Sequence, residues 1–160
     1  MRRHTFLLVG YLACVGPAAG QETPQREIGD YNFDGHADYR EPSPTPGNGC
    51  GWWNYYLYDV SSGQHRFVET AFCGEVFDPV EKLVKTYVSG GMAGYVYAIR
   101  HFRWEGLKPV AVFVETQDYD EARDLFIRTK LWNLDGLAGP SASSTVLTRE
   151  EVTAEFERKK

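Results

Sequence analysis

The sequence predicts an all-β protein: an antiparallel hairpin meander, propeller-like or barrel-like, followed by a short C-terminal helix. Three observations carry this expectation. Strand-length segments alternate apolar with polar residues. Ten Tyr, nine Phe and four Trp supply the bulky side chains that fill sheet faces. Turns built on Gly, Pro or Asp punctuate the chain at short intervals. A length of 160 residues suits one domain.

The chain opens with a segment outside the fold. Arg2 and Arg3 precede the apolar run "TFLLVGYLACV", which is too short to span a bilayer, and small residues follow at Ala18 and Gly20. This pattern predicts a signal peptide over 1–20, cleaved after Gly20, and a periplasmic or secreted product. "LAC" at 12–14 also fits the end of a lipoprotein signal, which leaves a lipid anchor as the alternative. No later stretch is apolar enough to span a membrane. The formal charge is −5, and losing Arg2 and Arg3 deepens it by two charges. An acidic surface repels nucleic-acid phosphates and anionic lipid and suits a basic partner.

Residues 21–27 read as a flexible lead-in, 28–147 as the β domain and 148–160 as a helix or tail. "EPSPTPGNG" at 41–49 alternates prolines and excludes helix or central strand. "WWNYYLYDV" (52–60) and "HRFVETAF" (65–72) form a hairpin about "SSGQ". "FDPVEK" turns the chain into the strand "LVKTYVS" (83–89), and "GGMAG" (90–94) is a glycine-rich loop. "YVYAIRHFRW" (95–104) and "KPVAVFVETQ" (108–117) make a second hairpin about Glu105–Gly106. "DYDEARD" (118–124) reads as an acidic connection. In "LFIRTKLWNL" (125–134), Leu125, Ile127, Thr129 and Leu131 mark the buried face and Arg128 and Lys130 the wet one. Asp135–Gly136 turns the chain, "GPSASS" is loop, and Thr148 with Glu151 has capping-box spacing.

Cys14 leaves with the leader. Cys50 and Cys73 then remain as a pair in an oxidising compartment, where a disulfide is expected and two buried thiols are the alternative.

The stretch that carries chemistry is "DYNFDGHADYRE", Asp30 to Glu41. Asp30, Asn32 and Asp34 alternate, so a tightly coiled backbone gathers their oxygens round one centre, and Gly35 permits the coil. His36 would add its backbone carbonyl, Asp38 a direct or water-mediated contact, and Glu41 stands at the twelfth position. The string meets the calcium-loop pattern D-x-N-x-D-G-x5-E, and all-oxygen ligands select Ca²⁺. The flanks "TPQREI" and "PSPTPG" supply no helices, so the loop reads as a calcium turn between β elements and not an EF-hand. Pro42 beside Glu41 makes that ligand the outside candidate. An ion-free Asp/Asn/Gly turn is the alternative.

"DYNFDGHADYR", "NYYLYDVSSGQHRFV", "FDPVEKLV" and "YAIRHFRWEGLKPVAV" follow one another in order. Together they resemble small exported bacterial immunity proteins of a bacteria-killing type IV secretion system, over roughly residues 28–135. The resemblance implies a propeller-like periplasmic β fold similar to lysozyme inhibitors, a bound calcium, and a peptidoglycan-cleaving glycoside hydrolase as protein partner. From the residues themselves, "VSGGMAGYVY" (88–97) reads either as an ordinary hairpin loop or as a protrusion. In the second case Ser89, Gly90 and Tyr95 would enter a catalytic cleft. A calcium-stabilised binding or adhesion module without inhibitory activity is the alternative function.

An enzyme is not expected. Asp118, Asp120, Glu121 and Asp124 read as a solvated charge run. His65 and His101 have no nucleophile motif near them, and phosphate-loop and zinc spacings are absent from the sequence.

Overall fold

A computed structural model describes residues 25–44, 50–70, 72–134 and 139–158. The leader, the start of the lead-in, the middle of the proline run and the Asp135–Gly136 turn lie outside the described residues. Among the described residues, ten strands form two antiparallel sheets. The first holds β1 (Glu27–Gly29), β2 (Asp38–Pro42), β3 (Trp53–Asp59) and β4 (Gln64–Val68) in sequential order. The second runs from β10 back to β5: β5 (Val76–Asp78), β6 (Leu83–Gly91), β7 (Val96–Glu105), β8 (Lys108–Asp120), β9 (Leu125–Trp132) and β10 (Ser141–Thr148). A helix, α1 (Arg149–Glu157), ends the fold. The meander and the helix are as expected, but neither sheet closes into a barrel.

The inner faces of both sheets supply the main core. Tyr31, Tyr55, Leu57, Val68, Phe72 and Val84 are buried, and Phe102, Trp104 and Leu107 pack on them from the β7–β8 hairpin. Alternation explains the choice: Tyr55 and Leu57 point inward along β3 while Tyr56 between them points out. A charged network is drawn into this region. Arg40 of β2 bonds Glu27 at 2.7 Å and Glu75 at 3.3 Å, with its guanidinium 4.2 Å from the Trp53 ring centroid. The Tyr55 hydroxyl donates to Glu75 at 2.7 Å. Burial first, and then Glu75, raise that phenol well above its ordinary pKa. The Cys50–Cys73 disulfide is present. Cys50 precedes β3, and the Cys73 carbonyl accepts from Tyr87 of β6, so the bond ties one sheet to the other.

The far end of the larger sheet is covered by α1. Phe126, Leu147 and Val152 form a second small core, flanked by Tyr95, Val96 and Tyr119. Thr148 caps the helix: its backbone N–H donates to the Glu151 carboxylate at 2.7 Å and Glu151 N–H returns to its hydroxyl at 3.3 Å. This core corrects the face reading of β9. Phe126, fully buried, shares its face with Arg128 and Lys130. That face is tolerable for charge because Arg128 donates to Gln117 at 2.6 Å and to Glu155 at 2.7 Å. Several further segments depart from expectation. Glu41 and Pro42 of the proline run end β2, an interior strand, where they pair with Asn54 and Trp53; Gly90 and Gly91 of the expected loop belong to β6; and β4 stops at Val68, short of 72. Asp118–Asp120 continue β8, and Ser141–Ser144 of the expected loop pair with β9 as the start of β10.

Beside this helix, Glu115 accepts from Tyr97 at 2.6 Å and pairs with Lys130 at 3.0 Å. Burial acts to raise its pKa, but the Tyr97 and Lys130 hydrogen bonds, with the charges of Lys130 and Arg128, outweigh burial and hold it below the ordinary 4.5. A carboxyl depressed in the folded state stabilises the protein above its unfolded pKa, and that contribution is lost as pH falls through the folded value. Between about pH 5 and pH 3 the wild type is therefore expected to lose more thermal stability than Glu115→Gln. Parallel melting curves against pH would exclude this carboxylate as the titrating group.

Candidate functional site

The acidic loop joins β1 to β2, and its geometry follows from its own side chains. Asp34 N–H donates to Asp30 Oδ1 at 3.0 Å and to Asn32 Oδ1 at 3.2 Å. Gly35 N–H reaches Asp30 Oδ2 at 3.0 Å, and His36 N–H reaches Asp34 Oδ1 at 2.8 Å. These short-range bonds wind the backbone into the tight coil the spacing implies, with Phe33 at φ 62° and Gly35 at φ 88°. Asp30, Asn32 and Asp34 are thereby brought together. Burial acts to raise the Asp34 carboxyl, but hydrogen bonds from His36 and Asn32 outweigh it and lower its pKa. The His36 ring lies 3.2 Å from Asp34 Oδ1 and stacks on Tyr58 at 5.3 Å.

The structure gives the other two candidate carboxylates different neighbours. Asp38 is 1% exposed. Its Oδ2 accepts from Tyr31 N–H at 2.8 Å and Asn32 N–H at 3.4 Å, and its Oδ1 accepts from Tyr58 N–H at 2.8 Å. Asp38 therefore folds the loop back on its own start and fastens it to β3. Burial raises its pKa against the pull of those three N–H groups. Glu41 is carried away from the loop along β2, opposite Asn54, and pairs with Arg26 at 3.3 Å. Among the described residues, no three His, Cys, Asp or Glu side chains converge as a metal cage. The all-oxygen set of Asp30, Asn32 and Asp34 is the part of the motif whose chemistry fits a hard cation.

The second candidate region is the tip of the β6–β7 hairpin. Gly90 is the bulged residue between Ser89 and Gly91. A Cβ on Gly90 would sit 2.6 Å from Val96 Cγ1, so the bulge needs glycine there. Gly91, Met92, Ala93 and Gly94 all have positive φ, an uncommon run for which Met92 and Ala93 incur steric cost. Ser89 and Gly90 are exposed at this tip. Tyr95 is not presented with them. Its ring packs edge-on against Phe126 and Phe156 at 6.1 and 5.3 Å, and its carbonyl accepts from Gln117 at 2.6 Å. Tyr95 anchors the hairpin to α1.

A third feature has no sequence signal. A cleft of about 650 Å³ opens beside the acidic loop, lined by Asp34, Tyr58, Lys82, Arg103, Trp104 and Leu107 among others. Its walls come from four connections far apart in the chain. Trp104 Nε1 is buried with no hydrogen-bond partner among the described residues. Lys82 closes one side by donating to Phe33 O at 3.3 Å.

These elements define a two-sheet, disulfide-tied β protein with a coiled acidic loop at its first hairpin. Among solved structures the chain is similar to a Xanthomonas type IV secretion system related protein, with a TM-score of 0.52 and 16% identity. The match covers 79% of this chain and 61% of that one, so it shows a shared fold over part of a longer protein. No family model and no curated protein matches the chain. A disulfide is compatible with an exported protein. Among the described residues no helix is long and apolar enough to cross a membrane.

Proposed function

We propose that the chain is an exported immunity protein of a bacteria-killing type IV secretion system, which blocks a peptidoglycan-cleaving, lysozyme-like glycoside hydrolase. The observation that carries this reading is the fold shared with the Xanthomonas secretion-related protein over 79% of the chain. The strained β6–β7 tip supports it. Ser89 and Gly90 stand exposed at the hairpin tip, and Tyr95 packs its base against Phe126 and Phe156. Small side chains on a protrusion anchored in this way suit a narrow glycan cleft.

The test is a peptidoglycan turbidity assay on a muramidase panel that includes any hydrolase encoded beside the gene. Stoichiometric inhibition is expected, and Ser89→Arg should weaken it by roughly tenfold or more. Inhibition of no muramidase or chitinase-like hydrolase would overturn the reading.

In the same proposal, calcium held by Asp30, Asn32 and Asp34 stiffens the first hairpin. The three side chains supply two carboxylates and an amide oxygen, and a bound ion would relieve the repulsion between the carboxylates. Chelation is expected to lower stability by about 2 kcal/mol at ordinary calcium excess, with recovery on adding Ca²⁺. Asp34→Ala should remove the response. Identical melts with and without chelator would exclude the site.

A further inference from the structure

The outer face of the four-stranded sheet carries an aligned row of apolar and aromatic side chains. Ile28 pairs with Tyr39, Tyr39 with Tyr56, and Tyr56 with Phe67, so one line of side chains crosses all four strands. Its ends, Ile28 and Phe67, are 77% and 56% exposed. The rings are held in place by each other. Tyr39 and Tyr56 stack at 4.7 Å, Phe67 lies 5.6 Å from Tyr56, and the Arg26 guanidinium covers the other side of Tyr39 at 4.5 Å. With the Tyr39 ring faces taken, little flat aromatic surface remains for a sugar ring. The row offers ring edges and aliphatic surface, which suits a protein face.

The same register sets a polar row alongside. Glu41 stands opposite Asn54. Arg26, just before β1, lies on this face against Tyr39 and Glu41, and Glu69 follows Phe67 by two residues, just past the end of β4. Arg26 is turned toward Glu41, 3.3 Å away, while Glu69 is exposed and has no ion pair among the described residues.

We propose that this face binds a second copy of the chain, sheet against sheet, about a two-fold axis parallel to the strands. Such an axis reverses the order of strands and keeps the rows level. Ile28 then meets Phe67 of the second copy, Tyr39 meets Tyr56, Arg26 meets Glu69, and Glu41 meets Asn54. Each contact occurs twice, as a two-fold interface requires, and every charge meets an opposite or neutral group. The patch spans only about 14 Å across the four strands and about 7 Å along them between the two rows, from the usual strand and residue spacings. That is small for a specific interface, so the dimer is a transient, micromolar one.

Sedimentation velocity on the purified protein, from about 5 to about 200 µM, tests this by mass action. A monomer–dimer equilibrium is expected over that range. Phe67→Glu and Ile28→Lys, both at exposed positions, should each weaken it by roughly tenfold or more. Arg26→Glu and Glu69→Arg should each weaken it severalfold, and the two together should restore it. Circular dichroism melts confirm that the variants are folded. A monomer throughout the range, a dimer indifferent to Phe67→Glu, or no restoration in the charge exchange would each overturn the proposal. A change confined to the exposed β10 edge would place the interface there instead and overturn it equally.

Discussion

Asp38→Ala is expected to destabilise the protein by about 3–5 kcal/mol, the sum of several buried N–H groups losing their acceptor at on the order of 1–3 kcal/mol each. The carboxylate is 1% exposed and takes the N–H groups of Tyr31, Asn32 and Tyr58. Tyr31 lies in the acidic loop and Tyr58 near the end of β3, so removing the acceptor frees the loop and loosens its seat on β3 together. Tyr31 is itself a core residue, 5.5 Å from Tyr55 and 5.2 Å from Phe77, which spreads the damage into the main core. Asp38→Asn keeps one acceptor oxygen but turns an amide donor toward other donors, so its loss should be intermediate. Urea titration in chelator and in calcium separates the two roles open to this residue. A hydrogen-bonding anchor costs the same in both conditions, whereas a metal ligand costs more with calcium. A loss below about 1 kcal/mol in both would refute the anchoring role.

Opening the disulfide should cost about 3 kcal/mol, from the chain entropy regained by a loop of this length. The half-cystines are 23 residues apart, and the segment between them holds β3 and β4 complete. Its ends are also hydrogen-bonded: Gly51 N–H donates to Phe72 O at 3.0 Å and closes the segment, and Tyr87 N–H of β6 donates to Cys73 O at 3.0 Å and joins it to the larger sheet. The paired substitution Cys50→Ser with Cys73→Ser, or reduction of the native protein, is therefore expected to shift the urea midpoint downward by the same amount. A midpoint unchanged by reductant would show that hydrogen bonds and the Tyr55–Phe72 contact alone hold the junction.

Much of the fold was legible because hairpins are local. "NYYLY" and "QHRFV" alternate with the period of a sheet and are joined by "DVSSG", in which Asp59 receives Ser61 N–H at 2.9 Å. Thr148 and Glu151 carried the helix start for the same reason, since both members of a capping box lie within one turn. "GPSASS" misled because Ser and Ala have little intrinsic preference for strands. Its second half is held extended by the ladder to β9, from Ser141 opposite Trp132 to Thr148 opposite Leu125. The wet face of β9 misled because Arg128 and Lys130 look solvated until Gln117, Glu115 and Glu155 are brought to them.

The candidate site divides along the same line. The coil of Asp30, Asn32 and Asp34 could be read directly, because each bond in it spans two to five residues. Glu41 matched the calcium-loop pattern by position, but a loop entering a strand carries its twelfth residue off in an extended direction. Asp38 looked like a ligand, and its bond to Tyr58 across 20 residues depends on how β2 lies on β3.

The sequence by itself determined most of the hairpins, the helix cap and the acidic coil, and made Cys50–Cys73 the expected disulfide, since periodicity and turn chemistry act between near neighbours. Only the tertiary structure decided which face of each strand is dry, that Tyr95 points inward, and that four distant connections enclose a cleft. It alone aligned Ile28, Tyr39, Tyr56 and Phe67 in one row. Those features depend on register and sheet packing between strands separated along the chain, where no short-range pattern constrains the outcome.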